Sequence, residues 1–354
     1  MIILNARFTG QPMTGVQRAA YELGRRLLAM RSDIAAVAPD EPAATYDIPV
    51  RVPSDGRLRG HAWEQLALPR LAGRDDWLLG LGGTGPVAFS RQIVMIHDVN
   101  YLIGADGYSR KFRWTYRAIH TLLARRAKIC TVSHWSAREI AKAYDLDPAS
   151  IAVIPNAADH ILSVMPDRQA PASLGITERP YVLCVGSANP NKNFGTALAA
   201  YSAIPDPSFD LVIVGGSDAR IFADGGAAKA HPRIHRLPRI SDEALRAVIE
   251  QAAVILMPSL LEGFGIPAIE AMALGTPVIA ADASALPEVC GDAAILVDPH
   301  DPAAMTAAMT RVMDDPALRT GLIASGHAQA ARYSWDRSAD KLSALIDQVL
   351  SSQE

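Results

Sequence analysis

Short apolar runs alternate with helical patterns along the whole chain of 354 residues, and this alternation constrains the fold most. The runs are rich in Val, Ile and Leu without strict alternation, which is typical of strands buried on both faces of a parallel sheet. They cover 2–8, 34–38, 76–82, 92–99, 128–133, 151–155, 181–186, 210–216, 253–258, 277–282 and 294–298. Helical patterns cover 16–30, 109–126, 135–144, 192–203, 241–252, 267–274 and 302–314. The chain is therefore predicted to be α/β, with helices on both faces of each sheet.

The rhythm breaks between 156 and 180, where the sequence has three prolines and no clear strand. We predict an N-terminal Rossmann-like domain over 1–160, a linker over 161–179 and a second Rossmann-like domain over 180–332. The amphipathic tail, 333–354, is expected to be a helix that packs back on the first domain. Ligands of open parallel sheets bind beyond the carboxyl ends of the strands, so two such domains facing each other would form a binding cleft.

Charge, cysteine content and hydropathy exclude several classes of protein. The 34 basic and 37 acidic side chains give a net charge of −3, which excludes a globally basic nucleic-acid-binding surface. Three scattered cysteines favour buried thiols in a reducing compartment over a disulfide framework or a metal site. No run reaches the roughly 18 to 20 apolar residues that cross a bilayer, and the first residues lack a signal-peptide pattern. A cytoplasmic protein is expected.

The segment 256–282 carries the most specific chemical signal. A glycine-rich loop containing Glu262 follows a strand, and Pro267 lies where a helix would begin. Glu270 lies about one turn into that helix, so both carboxylates can face the edge of the sheet. A carboxylate there can accept hydrogen bonds from vicinal hydroxyls. The spacing alone is equally compatible with two solvated glutamates around a helix start.

This segment, EGFGIPAIEAMALGTPVIA, resembles the signature of the retaining nucleotide-sugar glycosyltransferases of family 4. The start NARFTGQPMTGVQRAAYEL and the SANPNKN variant look most like the mannosyltransferase-like members of bacterial polysaccharide assembly. The resemblance continues in VGSANPNKN, HRLPRISDEAL, LPEVCGDAAILVDP and YSW, and more weakly in TGVQRAAYELGRRL, IHDVN, TVSHWSAREI and IPNA. It implies the GT-B fold, in which two Rossmann-like parallel-sheet domains face each other across a cleft.

The resemblance also implies the donor site. Glu270 would hold the ribose hydroxyls of the nucleotide and Glu262 the donor sugar, while Lys192 would lie on the diphosphate. The remaining donor-binding candidates are Gly15, Ser187, Phe264, Gly265, Ile266, Arg239 and Ile240, the last two against the base. Many relatives have arginine at the position of Ser187, and others at the position of Asn191. A second cation on the diphosphate would therefore come from Arg7 or Arg18, or the N–H groups of the 10–15 loop would replace it.

His97 follows a predicted strand and resembles the family histidine that contacts the sugar near its carbon 6 hydroxyl. With Glu262 and Lys192 it completes the predicted catalytic set. Four further polar residues end strands at the same predicted edge and are acceptor-side candidates, with loop capping as the alternative. They are Asp98, Ser133, His134 and Asn156.

The segment 110–128 has seven Lys or Arg and no Asp or Glu. Aromatic residues lie among these charges, which favours a peripheral membrane face containing Arg110, Lys111, Arg113 and Trp114. The alternative is a solvated helix whose Trp114 and Ile119 pack inward.

The resemblance thus implies a retaining hexosyltransferase, with mannose from GDP-mannose as the favoured donor and a glycan or lipid-linked oligosaccharide as acceptor. The resemblance implies front-face displacement, in which the leaving diphosphate helps to deprotonate the acceptor. We expect a nucleotide-sugar co-substrate, no other cofactor, no metal and no nucleic-acid partner, at the cytoplasmic face of the inner membrane. The alternatives are a UDP-sugar donor, an epimerase or phosphorylase of the same fold, and a non-catalytic nucleotide-binding assembly partner.

Overall fold

The computed structural model describes residues 1–53, 58–73, 75–104, 107–176, 179–215 and 231–352. The chain divides into two compact units. The first unit comprises Met1–Asn156 and Trp335–Glu354, and the second comprises Ala157–Ser334.

The first unit is a parallel sheet with helices packed on it. Its strands are β1 (Ile2–Asn5), β2 (Ile34–Val37), β3 (Val50–Arg51), β4 (Trp77–Gly80), β5 (Gln92–Met95), β6 (Lys128–Thr131) and β7 (Ala152–Val153). Its helices are α1 (Gly15–Met30), α2 (Gly60–Leu66), α3 (Leu68–Leu71), α4 (Asn100–Ile103), α5 (Arg110–Ala124), α6 (His134–Tyr144) and, from the end of the chain, α15 (Trp335–Ser351). Over the described residues the strand order is β3-β2-β1-β4-β5-β6-β7.

The central strand β1 shows why these residues form a buried sheet. It pairs in parallel with β2 and β4, so that Leu4 lies opposite Ala36 on one side and Leu79 on the other. All of β1 and β4 is buried, as expected for continuous apolar strands covered on both faces.

Helix α15 packs against α1 of the same unit. Arg31 of the loop after α1 lies 2.6 Å from Asp347 Oδ1, and the Ser338 hydroxyl donates to the Pro155 carbonyl oxygen at 2.6 Å. The end of the chain therefore belongs to the unit in which the chain begins.

The second unit is also a parallel α/β sheet. Its strands are β8 (Tyr181–Val185), β9 (Asp210–Val214), β10 (Ile234–Leu237), β11 (Val254–Met257), β12 (Val278–Ala281) and β13 (Ala294–Val297). Its helices are α7 (Asp159–Ser163), α8 (Ala170–Ser173), α9 (Phe194–Ser202), α10 (Asp242–Gln251), α11 (Ile266–Ala273), α12 (Leu286–Cys290), α13 (Pro302–Asp314) and α14 (Pro316–Ala330). Over its described part the strand order is β10-β9-β8-β11-β12-β13, so β8 pairs with β11, which is distant in sequence.

The structure differs from the predicted domain limits. The first unit ends at Asn156, and residues 161–179 are not a separate linker because their described part lies within the second unit. Arg246 of α10 explains part of this attachment, since its guanidinium donates to the carbonyl oxygens of Ile161 (3.2 Å) and Leu162 (2.9 Å) at the end of α7.

Every predicted apolar run contains a strand, but the edge strands β3 and β10 were not predicted. β10 has the sequence IHRL, whose alternation suits an edge strand rather than a buried one. Helix α14 was also missed, because its Ala- and Gly-rich sequence has a weak apolar stripe. The final residue of the run 210–216 lies outside the described residues.

Cys130, Cys184 and Cys290 are buried and unpaired, as expected, and burial raises the pKa of each thiol to about 12.

Within the described ranges, no helix is long and apolar enough to cross a membrane.

Candidate functional site

The carboxyl edge of the second sheet brings Lys192 and Glu262 together. Lys192 ends a 3₁₀ turn after β8, and Glu262 lies in the glycine-rich loop after the neighbouring strand β11. Their Nζ and Oε1 atoms are 2.6 Å apart, which is an ion pair. The two loops are also joined through their backbones, since the Leu260 N–H donates to the Asn191 carbonyl oxygen at 2.8 Å.

Glu262 is 8% exposed, and both its backbone and its side chain have partners. Its own N–H donates to Ser284 Oγ at 2.9 Å, while Lys192 neutralises its side chain. The lysine stem passes close to Gly186, where an added Cβ would lie 3.1 Å from Lys192 Cδ. Glycine at 186 therefore leaves room for the cation to reach the loop after β11.

Gly265 shapes the start of α11. Its φ of +96° lies in the left-handed region, and an added Cβ would lie 2.7 Å from Leu286 Cδ2. Pro267 occupies the first turn of the helix, where a missing N–H costs nothing. Phe264 is buried, with its ring edge-on to Tyr333 at 5.3 Å. The loop geometry thus requires the glycine that the sequence motif provides.

Glu270 lies in α11 and is buried beside His160. Because a carboxylate only accepts, His160 Nε2–H donates to Glu270 Oε1, at 3.0 Å. This bond uses one lone pair of Oε1 and leaves other acceptor positions on the carboxylate for ligand hydroxyls.

The other donor-side candidates lie on three loops of the second unit. Ser187 is exposed directly after β8, and its carbonyl oxygen accepts from the Asn189 N–H at 2.8 Å. Ile266 is the half-buried first residue of α11. Arg239 is exposed and Ile240 half-buried between β10 and α10. The Asn191 side chain is buried, and among the described residues its Nδ2 has no hydrogen-bond partner.

In the first unit, His97 follows β5 and is buried. Burial lowers the pKa of His97 below its usual value, and the opposing hydrogen bond to the Leu81 carbonyl oxygen is too weak to compensate. Nε2 lies 2.9 Å from that oxygen and must donate to it. Nδ1 of the neutral ring is then a hydrogen-bond acceptor, which suits contact with a hydroxyl.

The four acceptor-side candidates follow the carboxyl ends of β5, β6 and β7, as predicted. Asp98 Oδ1 accepts from the Asn100 N–H at 2.9 Å, and Ser133 Oγ accepts from the Ser136 N–H at 3.0 Å as the cap of α6. His134 is the exposed first residue of α6. Asn156 is buried, and no described residue forms a hydrogen bond with its Oδ1. Asp98 and Ser133 therefore have local structural roles as well.

Gly15 begins α1, and the two arginines considered for the diphosphate are already paired within the first unit. Arg7 Nε lies 3.4 Å from Glu64 Oε1, and Arg18 lies 3.9 Å from Glu22 Oε1. Their roles toward a donor stay predictions.

The basic helix α5 presents Arg110, Lys111 and Trp114 on its exposed side. Trp114 is 69% exposed, so the alternative that it packs inward is wrong, whereas Ile119 does pack on the core. Arg113 is half-buried, and within the part of the chain that the structure describes its Nε is shielded from solvent and has no hydrogen-bond partner. It is therefore less exposed than Arg110, Lys111 and Trp114.

Two family models match the chain on either side of the unit boundary. The model described as "Glycosyltransferase Family 4" matches residues 13–162, and "Glycosyl transferases group 1" matches 167–329. The D-inositol 3-phosphate glycosyltransferase of Acidothermus cellulolyticus is 30% identical over an aligned length of 308, and the match covers 73% of this chain and 68% of that protein. The chain belongs to the family 4 glycosyltransferases. As the sequence predicted, this glycosyltransferase has the two Rossmann-like parallel-sheet domains of the GT-B fold.

Two further comparisons bear on this glycosyltransferase. The Escherichia coli O-antigen chain mannosyltransferase B is 26% identical over 267 residues, covering 71% of this chain and 68% of that protein. The solved structure of Anabaena HepE, in complex with UDP and glucose, superposes with a TM-score of 0.74 at 16% identity and covers 98% of both chains. At that identity the structural likeness shows the fold alone.

Sequence reasoning missed two residues of this glycosyltransferase, one that binds the Glu270 carboxylate and one that binds the Glu262 backbone. His160 lies in the segment expected to be a linker, 110 residues from Glu270, and no spacing rule connects the two. Ser284 follows β12 and has a positive φ of 55°. An isolated serine in a loop carries no signal that it binds the Glu262 backbone 22 residues away.

Proposed function

We propose that this glycosyltransferase moves a hexose from a nucleoside diphosphate sugar to a hydroxyl of a growing glycan, with retention of anomeric configuration. The observation that carries the proposal is the 2.6 Å pair of Lys192 and Glu262 at the carboxyl edge of the second sheet. The Lys192 ammonium can bind a diphosphate, and the adjacent Glu262 carboxylate can accept hydrogen bonds from sugar hydroxyls. Glu270, held by His160, supplies the second carboxylate, for the ribose.

In the proposed reaction, the bond from the anomeric carbon to the diphosphate oxygen breaks. A bond from the same carbon to the acceptor oxygen forms on the same face, and the acceptor proton passes to the leaving phosphate oxygen. Lys192 stabilises the negative charge that develops on the diphosphate. In this front-face reaction Glu262 positions the sugar and forms no bond to the anomeric carbon. Neutral His97 accepts a sugar hydroxyl through Nδ1.

GDP-mannose is the proposed donor, supported by the similarity to the O-antigen chain mannosyltransferase B. A UDP-sugar is the alternative donor, supported by HepE, whose structure holds UDP and glucose. We propose that transfer needs no metal, because Lys192 supplies the neutralising charge. Activity lost in EDTA and restored by Mg²⁺ or Mn²⁺ would contradict that.

The exposed side of α5 supports a place at an anionic membrane surface on the cytoplasmic side. Arg110, Lys111, Arg117 and Trp114 lie on this side together with Leu122, which is 39% exposed. Basic side chains attract anionic headgroups, and an exposed indole inserts at the interface. A lipid-linked oligosaccharide presented at that surface is the proposed acceptor.

The function is tested with GDP-mannose, UDP-glucose, GDP and UDP in a thermal-shift and calorimetric panel, followed by measurement of nucleotide release with and without a glycan acceptor. A transferase binds one nucleotide sugar, releases nucleotide slowly alone and faster with acceptor, and yields a product of the donor's anomeric configuration. Tight binding without any release would indicate a non-catalytic assembly partner. Acceptor-independent conversion to an epimer, or to a sugar phosphate with added phosphate, would also overturn the proposal.

A further inference from the structure

Glu64 is a buried carboxylate in the first unit to which the donor site assigns no role. Its side chain in α2 is 1% exposed and lies among four polar side chains. Asn5 Nδ2 donates to Oε1 at 2.7 Å, Thr84 Oγ1 lies 2.9 Å from Oε2, Arg7 Nε lies 3.4 Å from Oε1, and His61 Nδ1 lies 3.1 Å from Oε2. We call these five residues the Glu64 cluster.

The cluster lies at the carboxyl edge of the first sheet, where open parallel sheets bind ligands. Asn5 ends β1, and Thr84 belongs to the loop after the neighbouring strand β4. In that loop the Leu81 carbonyl oxygen accepts from His97 Nε2–H at 2.9 Å. The cluster is therefore one short loop from the histidine proposed to contact the donor sugar.

The groups around Glu64 set its protonation state. Burial raises the pKa of Glu64, but the hydrogen bond from His61, the charge of Arg7 and the Thr84 hydroxyl together outweigh it and leave the pKa below its usual value. The carboxylate is therefore ionised and the Arg7 guanidinium opposes it. The carboxylate and the hydroxyl, amide and imidazole groups around it suit a hydroxyl-bearing ligand.

His61 is the accessible member of the cluster. Its side chain is 38% exposed, whereas the carboxylate that holds it is buried. Because an ionised carboxylate only accepts, His61 Nδ1–H donates to Glu64, and Nε2 of the neutral ring becomes an acceptor. The buried glutamate thus fixes the tautomer and orientation of a solvent-accessible imidazole.

A row of aromatic side chains on α5 adjoins His61. The His61 ring is edge-on to Tyr116 at 5.8 Å, and Tyr116 stacks on Phe112 at 4.1 Å. Burial raises the pKa of the Tyr116 hydroxyl, while the charges of Arg7 and Glu64 act on that pKa in opposite directions. Both rings are half-buried and combine an apolar surface with polar neighbours.

We propose that the Glu64 cluster and Tyr116 form the subsite that binds the acceptor sugar. A pyranose hydroxyl donates to His61 Nε2, and the apolar face of the pyranose packs against Tyr116. Glu64 is a positioning residue that acts through His61. This proposal rests on the proposed transferase function and names where its acceptor binds.

The test uses methyl α-mannopyranoside and methyl α-glucopyranoside as probes, with binding detected by saturation-transfer NMR. His61→Asn is the decisive variant, because the asparagine amide can still donate to Glu64 while the Nε2 acceptor is lost. We expect at least one hexoside to bind the wild-type protein with a Kd on the order of 10 mM or below, and His61→Asn to weaken binding about tenfold. In transfer assays the acceptor KM rises by the same factor, while the donor KM changes less than the acceptor KM.

Tyr116→Ala is the second variant, and it removes the surface on which the pyranose packs. It tests the subsite independently, so the proposal can still be tested if His61→Asn fails to fold. His300→Asn, an exposed histidine of the second unit, is the matched control and should bind as wild type. Unchanged hexoside binding in folded His61→Asn and Tyr116→Ala overturns the proposal, as does a wild-type protein that binds a nucleotide sugar but neither hexoside. Hexoside binding through His61 without nucleotide-sugar binding would instead overturn the transferase function and leave the subsite standing.

Discussion

Lys192 Nζ lies 2.6 Å from Glu262 Oε1 although 70 residues separate them in the chain. The pair exists because β8 and β11 are neighbours in the second sheet, so the loops that follow them meet at one edge. A buried carboxylate and a partly buried ammonium then neutralise each other at the position where the donor is proposed to bind.

Replacement of Lys192 tests its role in stabilising the leaving group. Lys192→Met should lower kcat/KM for the donor by about 100- to 1,000-fold, because a cation facing developing negative charge is lost. Lys192→Arg, which keeps the charge, should retain more activity. Lys142→Met changes an exposed lysine of α6 and serves as the control in steady-state kinetics. Activity of Lys192→Met equal to that of the control would refute the assignment.

His160 should control nucleotide affinity through Glu270. His160→Ala removes the donor to Glu270 Oε1, and we expect the Kd for the nucleotide to rise about five- to tenfold. His160→Gln should recover part of the affinity, because its amide can donate to the same oxygen. Calorimetric titration measures both, with His300→Ala as control. Equal affinities of the alanine and wild-type proteins would show that Glu270 does not depend on His160.

Gly265 should not tolerate a side chain. Gly265→Ala combines a left-handed backbone conformation with a Cβ 2.7 Å from Leu286 Cδ2, and should lower the free energy of unfolding by about 2 kcal/mol or more. Gly195→Ala, where an added Cβ has no neighbour within 4 Å and the residue lies in helix α9, should be neutral or stabilising. Urea unfolding compares the two variants, and similar effects of both would contradict the geometric explanation.

His120 should make the stability of the protein pH-dependent. Burial lowers the pKa of His120 to about 4, while Nε2–H donates to the Gly83 carbonyl oxygen. The pKa of His120 is about 4 in the folded state and 6.5 in the unfolded state, so between these pH values the unfolded state binds more protons. The contribution of His120 to stability is therefore complete above pH 6.5 and is lost as the pH falls toward 4. The shift corresponds to up to about 3 kcal/mol.

His120→Gln retains an amide donor for Gly83 and removes the titration. Between about pH 7 and pH 4 the wild-type free energy of unfolding should therefore fall by more than that of His120→Gln. Other acidic and histidine groups, including His97, contribute to both proteins and cancel in the difference. Denaturant titrations at several pH values provide the measurement. Parallel pH profiles of the two proteins would contradict the prediction.

The exposed side of α5 should bind anionic membranes. The double variant Arg110→Gln/Lys111→Gln should bind vesicles of about 25% anionic lipid about 30-fold more weakly at low salt, as measured by sedimentation. This factor follows because each basic side chain contributes roughly 1 kcal/mol to membrane binding. Arg138→Gln with Lys142→Gln removes the same charge from exposed positions of α6 and should have a smaller effect. Equal losses in the two double variants would indicate attraction by total charge and not by α5.

The GT-B fold could be predicted because each central strand is a continuous apolar run and each needs helices on both faces. The edge strands β3 and β10 were missed for the same reason, since an edge needs no such run. At the site, the glycine-rich loop and its two glutamates were predicted from a local motif. Their partners His160 and Ser284 were not, because those contacts depend on distances in space and not on spacing in the chain.

The sequence by itself determined which segments are buried strands and where a glycine allows the backbone to turn into α11, because apolar periodicity and positive φ are local properties. Only the tertiary structure decided which strand ends are neighbours, and hence that Lys192 reaches Glu262, His160 reaches Glu270 and His61 reaches Glu64. The physical reason is that hydrogen bonds and ion pairs act over about 3 to 4 Å, so they form only once strand order has brought distant segments together.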